Sequence, residues 1–158
     1  MSSQTVSISI DQQIIQVNAE DTILKAAAKV GIKIPTICFH DYCKANALCR
    51  ICVVEVEGSR TLVPACATRV VAGMKILTTS PRIRLARRLI LEMLASTVDL
   101  SQAPDILEML QEYGADSNRF PEAEPRTFPV LDDNPLYIRD YSKCLLCWRC
   151  VQVCGEDA

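Results

Sequence analysis

The chain has 158 residues, of which 49% are hydrophobic, and its formal net charge is −2. That length allows one or two small domains with apolar cores, and so small a charge gives no electrostatic basis for binding nucleic acid or an anionic membrane. No apolar run approaches the roughly 18–20 residues of a membrane-spanning helix, and the first residues show no secretory signal. Nine cysteines, an odd number, favour metal or cluster ligation over a disulfide framework. We therefore expect a cytoplasmic protein without a membrane span.

The first eighty residues are predicted to form a compact α+β unit. Apolar residues alternate over 6–10 and recur over 14–17 after a polar break, which predicts a β-hairpin. Asp21 or Thr22 can cap a helix that runs to about Val30. Further strand-like stretches follow at Val53–Glu57, Thr61–Val63 and Lys75–Thr78. Short strands around one helix predict a small mixed sheet.

Two helices and a linker are predicted to follow. Pro81 at a first helical position predicts a helix to about Ala95. Its expected apolar face consists of Ile83, Ala86, Ile90, Met93 and Leu94. Its arginines are interpreted as a solvated basic face: Arg82, Arg84, Arg87 and Arg88. A second helix is expected over 104–113, and the proline-rich segment 120–135 is expected to be an extended connector.

Four cysteines in the first half of the chain form the first candidate site: Cys38, Cys49, Cys52 and Cys66. A [2Fe–2S] cluster needs four thiolates, and a loop with closely spaced cysteines plus one distant cysteine can enclose it. A structural zinc ion held by four thiolates is the alternative. Such zinc sites combine two close cysteine pairs, whereas only Cys49 and Cys52 form a close pair here. The spacing therefore favours the [2Fe–2S] cluster.

Four separated motifs around these cysteines resemble one known domain. In chain order they are IPTIC at 34–38, CRICVVEV at 49–56, PACAT at 64–68 and AGMKI at 72–76. The domain is the N-terminal [2Fe–2S] ferredoxin-like domain of three related groups. These are the large iron–sulfur subunit of NADH dehydrogenase, the diaphorase part of NAD-linked hydrogenases, and the catalytic (alpha) subunit of NAD-dependent formate dehydrogenases. The resemblance covers residues 1 to about 95 and implies a β-grasp fold with the four cysteines as iron ligands.

Three further residues of the cysteine-bearing loop bear on this interpretation. Cys43 competes for a ligand role, but the long gap between Cys38 and Cys49 matches the resembled family, so Cys43 is interpreted as a spare thiol. His40, the only histidine, is interpreted as a loop residue. Ala47 stands where the resembled family usually has glycine, two residues before the second ligand.

The last cysteines form a second candidate site: Cys144, Cys147, Cys150 and Cys154. Their spacing, Cys-x2-Cys-x2-Cys-x3-Cys, is typical of a [4Fe–4S] cluster, and in two-cluster ferredoxins the fourth cysteine ligates another cluster. A second run would therefore be needed further on, so we expect that the chain has been cut short. We also expect the [2Fe–2S] site to be complete, and the [4Fe–4S] site to be partial or labile unless other polypeptide is present.

Most members of the resembled family carry another [4Fe–4S] cluster, held by one histidine and three cysteines, after the long helix. Here the corresponding stretch, 94–101, has no histidine, and no cysteine occurs between Cys66 and Cys144. We expect that cluster to be absent. The phrases Asn134-Pro135 and Arg139-Asp140-Tyr141 resemble the formate dehydrogenase branch.

Together these features predict an iron–sulfur electron-transfer module of α+β class. Residues 1–79 would form the β-grasp [2Fe–2S] ferredoxin-like domain, 80–135 a helical connector and proline-rich linker, and 136–158 a truncated, bacterial-ferredoxin-like [4Fe–4S] segment. The resemblance implies a flavin/NAD-binding redox subunit and a molybdenum- or tungsten-pterin (Mo/W-pterin) formate dehydrogenase domain as partners. No substrate site is predicted on the chain itself. The alternatives are a diaphorase-type small subunit of an NAD-linked hydrogenase and a zinc-bound structural protein.

Overall fold

The structure, a computed structural model, describes residues 4–157, with side chains described through Gly155. Residues 1–3 and 158, which belong to the first and last predicted segments, lie outside the described residues. The chain divides into two compact units. Unit 1 holds the residues up to Arg87 and from Trp148 onward, and unit 2 is Arg88–Cys147.

In the part of the chain that the structure describes, five strands form one mixed sheet. They are β1 Thr5–Ile10, β2 Gln13–Asn18, β3 Val53–Val56, β4 Val63–Pro64 and β5 Lys75–Leu77, in the spatial order β2-β1-β5-β3-β4. Strands β1 and β5 are parallel, and the other neighbours are antiparallel. The predicted hairpin is confirmed: Asp11 and Gln12 connect β1 to β2 with φ of 46° and 71°. Two positive φ angles in a two-residue loop twist the chain in the sense that matches the sheet.

Helix α1, Ile23–Lys29, lies against the sheet. The Thr22 side chain caps it by accepting a hydrogen bond from the backbone N–H of Lys25 at 3.3 Å. The core includes side chains from both the sheet and the helix: Val6, Ile8, Ile10, Val17, Ile23, Ala26, Ala27, Val54 and Ile76. Two of the candidate ligands, Cys52 and Cys66, belong to the same core. The α+β class expected from the sequence is confirmed.

Strand β4 begins later than predicted, at Val63. Thr61 and Leu62 lie outside it because their carbonyl groups accept hydrogen bonds from side chains and not from a neighbouring strand. The Ser59 hydroxyl donates to the Thr61 carbonyl at 2.8 Å, and the Arg50 guanidinium donates to the Leu62 carbonyl at 3.0 Å.

Helix α2, Pro81–Ala95, has the predicted bounds but a different buried face. Ile83, Arg87 and Leu91 are buried at intervals of four residues, whereas Met93 is 58% exposed. Met93 was predicted on the apolar face, and that prediction is wrong. Two residues along a helix are separated by about 200°, so Met93 points away from the direction in which Leu91 is buried.

Unit 2 contains the second half of α2, helix α3 Pro104–Tyr113 and a 3₁₀ helix Tyr141–Lys143. Gly114 ends α3 in a left-handed conformation, with φ of 60°. The proline-rich connector is extended apart from turns, and Leu131 and Arg139 pair through two backbone hydrogen bonds of 2.8 and 2.9 Å. Within residues 4–157, no helix combines the length and the apolar character needed to cross a bilayer.

Candidate iron–sulfur site

The first four candidate cysteines lie at the ends of strands and in the long loop that follows α1. Cys38 and Cys49 belong to that loop, and Cys52 directly precedes β3. One residue, Ala65, separates Cys66 from the end of β4, and the Ala65 N–H donates to the Cys52 carbonyl at 3.1 Å. Cys38, Cys52 and Cys66 are at most 2% exposed, and Cys49 is half-buried. Pairing of β3 with β4 thus brings Cys52 and Cys66 together from positions that are distant in sequence.

The structure arranges these thiols as two hydrogen-bonded pairs. The Cys38 thiol donates to the Cys49 sulfur, and this bond lowers the pKa of Cys49 to about 5 and raises that of Cys38. The Cys66 thiol likewise donates to the Cys52 sulfur, which lowers the pKa of Cys52 to about 7 and raises that of Cys66. Each pair therefore offers a thiolate near neutral pH, the form that ligates metals.

Backbone N–H groups point at the same sulfurs. Those of Leu48 and Cys49 face the Cys38 sulfur, and that of Ile51 faces the Cys49 sulfur. The loop achieves this with left-handed residues at Ala47 and Arg50, whose φ angles are 54° and 59°. Alternation of right- and left-handed residues makes successive N–H groups converge on one side, where they stabilise negative charge.

The pairwise arrangement matches the ligand set of a binuclear cluster. The Cys66 thiol also interacts electrostatically with the sulfurs of Cys38, Cys49 and Cys52, so the two pairs lie near each other. A structural zinc ion needs four ligands around one point, whereas a [2Fe–2S] cluster takes two thiolates on each of two irons. Two thiol pairs lined with N–H donors match the second requirement.

A family model for the 2Fe-2S iron-sulfur cluster binding domain matches residues 3–81, which is half of the chain. The chain belongs to this family. The mixed sheet, the thiol pairs and the loop between them therefore constitute a 2Fe-2S domain.

Curated relatives extend the similarity beyond the 2Fe-2S domain. The chain is 34% identical over 160 residues to the NADH-ubiquinone oxidoreductase 75 kDa subunit of Reclinomonas americana, covering 97% of this chain and 23% of that protein. It is 34% identical over 162 residues to the NADP-reducing hydrogenase subunit HndD of Solidesulfovibrio fructosivorans, covering 95% of this chain and 28% of that protein. An NADH-quinone oxidoreductase subunit of Rhizobium meliloti (strain 1021) is 36% identical over 160 residues, covering 96% of this chain and 19% of that protein. The chain thus spans less than a third of the length of each of these relatives.

A solved structure shares the fold. It is a crystal structure of an NAD⁺-reducing [NiFe]-hydrogenase in the H₂-reduced state, with a TM-score of 0.82 and 24% identity. The match covers 97% of this chain and 67% of that chain. At this level of identity the match establishes the fold alone.

The other two loop residues considered from the sequence have different contacts. The Cys43 thiol is buried and donates to the Arg149 carbonyl at 3.8 Å. His40 is exposed, and its Nδ1 accepts a hydrogen bond from the Tyr42 N–H at 3.3 Å. Their interpretation as residues outside the ligand set stays a prediction.

The terminal cysteine run falls across the two units. Cys144 follows the 3₁₀ helix, and its carbonyl accepts a 2.6 Å hydrogen bond from the Arg126 guanidinium in unit 2. Cys150 and Cys154 lie exposed on helix α4, Arg149–Asp157, in unit 1. Gln152 of the same helix donates to the Lys44 carbonyl at 3.0 Å, so α4 contacts the cysteine-bearing loop of the 2Fe-2S domain.

Arg87 is the residue near the site that the sequence analysis misplaced. It was predicted on a solvated basic face, but it is 3% exposed. Its Nε donates to the Ile51 carbonyl at 3.1 Å and its Nη2 to the Val53 carbonyl at 2.9 Å. These carbonyls flank Cys52 and attract the guanidinium inward. In the sequence, the four-residue spacing of Ile83, Arg87 and Leu91 could have indicated that Arg87 lies on the buried face of the helix.

Proposed function

We propose that this chain is a single-electron carrier whose [2Fe–2S] cluster is held by Cys38 and Cys49 on one iron and by Cys52 and Cys66 on the other. The arrangement of the four thiols in two pairs, with three of the four buried and Cys49 half-buried, carries this proposal. When bound, the cluster accepts and donates one electron at a time. The chain contributes the thiolates, the inward N–H groups, and burial that keeps water from the sulfurs.

The terminal run would provide ligands for a [4Fe–4S] cluster through Cys144, Cys147 and Cys150. Cys154, the last of the run, would ligate a further cluster, by analogy with the same spacing in two-cluster ferredoxins. In that case the three remaining thiolates need a fourth ligand from other polypeptide. The chain alone would hold this cluster partially or lose it readily.

The electron partners would be a flavin/NAD-binding redox subunit on one side and a catalytic centre on the other. Relatives named as subunits of NADH-quinone oxidoreductase and of an NADP-reducing hydrogenase support a nicotinamide-linked complex. For the catalytic centre we favour a Mo/W-pterin formate dehydrogenase, because the segment from Asn134 to Tyr141 resembles that branch. The substrate chemistry would then belong to that partner domain.

A hydrogenase complex is the second candidate. Two observations favour it: the 34% identity to the hydrogenase subunit HndD, and the fold shared with an NAD⁺-reducing [NiFe]-hydrogenase. In this case the catalytic centre would oxidise hydrogen, and the cluster of this chain would serve the same carrier role.

The two candidates differ in the electron donor that reduces the cluster. The intact complex would be purified anaerobically through a tag on this chain, mixed with formate, hydrogen or NADH, and frozen for electron paramagnetic resonance (EPR). Formate-dependent appearance of the [2Fe–2S] signal supports the formate dehydrogenase assignment, and hydrogen-dependent appearance supports the hydrogenase. A cluster that no donor reduces, although dithionite does, would contradict the carrier role.

A further inference from the structure

Arg87 is a buried cation placed directly behind one of the candidate ligands. It lies in the same compact unit as the four thiols and donates two hydrogen bonds to the carbonyls on either side of Cys52. Removing a guanidinium from water is strongly unfavourable before its partners are counted. A buried arginine is therefore unusual on this face of the helix, because a leucine at position 87 would pack between Ile83 and Leu91 without that cost.

The hydrogen bond to Ile51 fixes the orientation of a peptide group at the site. No peptide bond among the described residues is cis, so the C=O and N–H of the Ile51–Cys52 peptide point in opposite directions. Arg87 holds the C=O, and the N–H on the opposite side faces the Cys52 sulfur. The N–H of Ile51 itself faces the Cys49 sulfur. The guanidinium thus anchors the turn whose N–H groups serve both thiol pairs.

The charge of Arg87 acts in the same direction as these N–H groups. Reduction of a [2Fe–2S] cluster adds one electron and therefore one negative charge. A buried cation and inward N–H donors both stabilise the more negative state, because burial leaves little solvent to screen them. Charge and hydrogen bonds to the sulfurs are among the features that set the potentials of iron–sulfur clusters.

We propose that Arg87 is a positioning residue that raises the reduction potential of the [2Fe–2S] cluster, by anchoring the 51–53 backbone and by placing a positive charge behind Cys52. The proposal rests on the proposed function, since it requires the cluster at the two thiol pairs. It predicts that a neutral residue at position 87 makes the cluster harder to reduce.

The test is an EPR-monitored redox titration of the full chain with Arg87→Met, Arg87→Lys and, as control, Arg84→Met on the exposed side of the same helix. At a fixed potential near the midpoint, Arg87→Met is expected to shift the ratio of reduced to oxidised cluster about tenfold toward the oxidised form. For a one-electron couple, this is about 59 mV. Arg87→Lys keeps the charge but not the planar fork, so its shift should be in the same direction and smaller. Arg84→Met should match the wild type.

A fully loaded Arg87→Met variant with the wild-type potential would overturn the proposal. If that variant does not retain iron, the Arg87→Lys variant decides: a lowered potential supports the role of Arg87, and an unchanged one overturns it. A wild-type chain that binds no iron would instead contradict the proposed function.

Discussion

At the scale of single residues, six non-glycine positions among the described residues adopt the left-handed backbone conformation that glycine favours. Ala47 and Trp148 are two of them, with φ angles of 54° and 69°, and Ala47 stands where the resembled family usually has glycine. A non-glycine residue in the left-handed region costs about 1–2 kcal/mol. The cysteine loops therefore adopt left-handed backbone conformations at residues that are less suited to them than glycine.

Ala47→Gly is expected to stabilise the 2Fe-2S domain by about 1 kcal/mol, because it relieves this strain. Urea unfolding of the chain would measure the change. Ala45→Gly is the matched control, since Ala45 is also half-buried in the loop but has no positive φ; it should destabilise by about 0.5–1 kcal/mol. Equal effects of the two substitutions would contradict the strain argument.

The ligand set can be tested through Cys43. Its thiol donates to the Arg149 carbonyl and Cys43 is interpreted as a residue outside the ligand set, so Cys43→Ser should retain the iron and sulfide of the wild type. Cys49→Ser removes one member of a thiol pair and should lose most of both, as measured by quantitation after anaerobic desalting. Iron lost with Cys43→Ser and retained with Cys49→Ser would show that the ligands were misassigned.

The sequence indicated the cysteines more directly than their surroundings. Cysteine spacing reflects the chemistry of the cluster itself, so the four thiols could be grouped without knowing the sheet. Arg87 could not be placed in the same way. An arginine is usually exposed, and its burial depends on the Ile51 and Val53 carbonyls, which become neighbours only after folding.

At the scale of elements, a buried carboxylate joins α2 to the segment after α3. The Glu92 side chain is 4% exposed and lies 3.7 Å from Arg88 Nε and 3.8 Å from Arg119 Nε. One of its oxygens also accepts a hydrogen bond from the Asp116 N–H at 3.2 Å. This network holds unit 2 together in the part of the chain where the resembled family carries its additional cluster.

Glu92→Gln should destabilise unit 2 by about 2 kcal/mol. The amide can still accept from the Asp116 N–H, but it leaves two arginines without their counter-charge. Thermal unfolding followed by circular dichroism would measure this loss. Glu108→Gln, at an exposed position on α3, should change stability by less than about 0.5 kcal/mol. A Glu92 variant as stable as the Glu108 variant would contradict the role of the network.

A second element-scale contact predicts pH dependence in the segment 131–139. The Arg139 guanidinium donates to both Asp133 carboxylate oxygens, 2.6 Å from Oδ1, and lowers the pKa of Asp133 below its ordinary 3.8. A lowered folded-state pKa gives stabilisation that is fully present above the unfolded value and is lost as pH falls through the folded value. The backbone pair between Leu131 and Arg139 should therefore open more readily below about pH 4.

Hydrogen exchange at the Arg139 amide, corrected for the intrinsic rate, would test this at pH 6 and pH 3. Protection should fall with acidification in the wild type. In Asp133→Asn it should be low at both pH values, since the carboxylate is missing throughout. Identical pH dependence in the two proteins would show that Asp133 does not control the segment.

Element prediction succeeded where local signals were sufficient. The hairpin was visible from alternation and a polar break, and α3 from Pro104 and Gly114, because these signals act within a few residues. Strand β4 and the buried face of α2 were misjudged because tertiary contacts decide them. Arg50 and Arg87 donate hydrogen bonds to backbone carbonyl groups that are distant in sequence, and local sequence patterns do not predict such contacts.

At the scale of the whole molecule, the identity of the cluster-binding half is better established than the identity of the proteins that exchange electrons with it. The family match and the fold make residues 3–81 a 2Fe-2S domain, and the relatives place similar sequences in much longer subunits. The electron donor and acceptor could not be read from the sequence, because the motifs around the cysteines reflect the cluster and not the proteins that exchange electrons with it. The ligation of the terminal cysteine run likewise stays a prediction.

The most direct test of the central claim is anaerobic iron and sulfide quantitation combined with low-temperature EPR of the dithionite-reduced chain. For protein purified in air and then analysed anaerobically, we expect roughly two irons and two sulfides per chain and one slowly relaxing EPR signal. This result would come from a complete [2Fe–2S] site and a partial terminal site. A stable content of roughly six irons with an additional fast-relaxing signal would contradict the partial site. A colourless protein containing a single zinc ion would contradict the cluster itself.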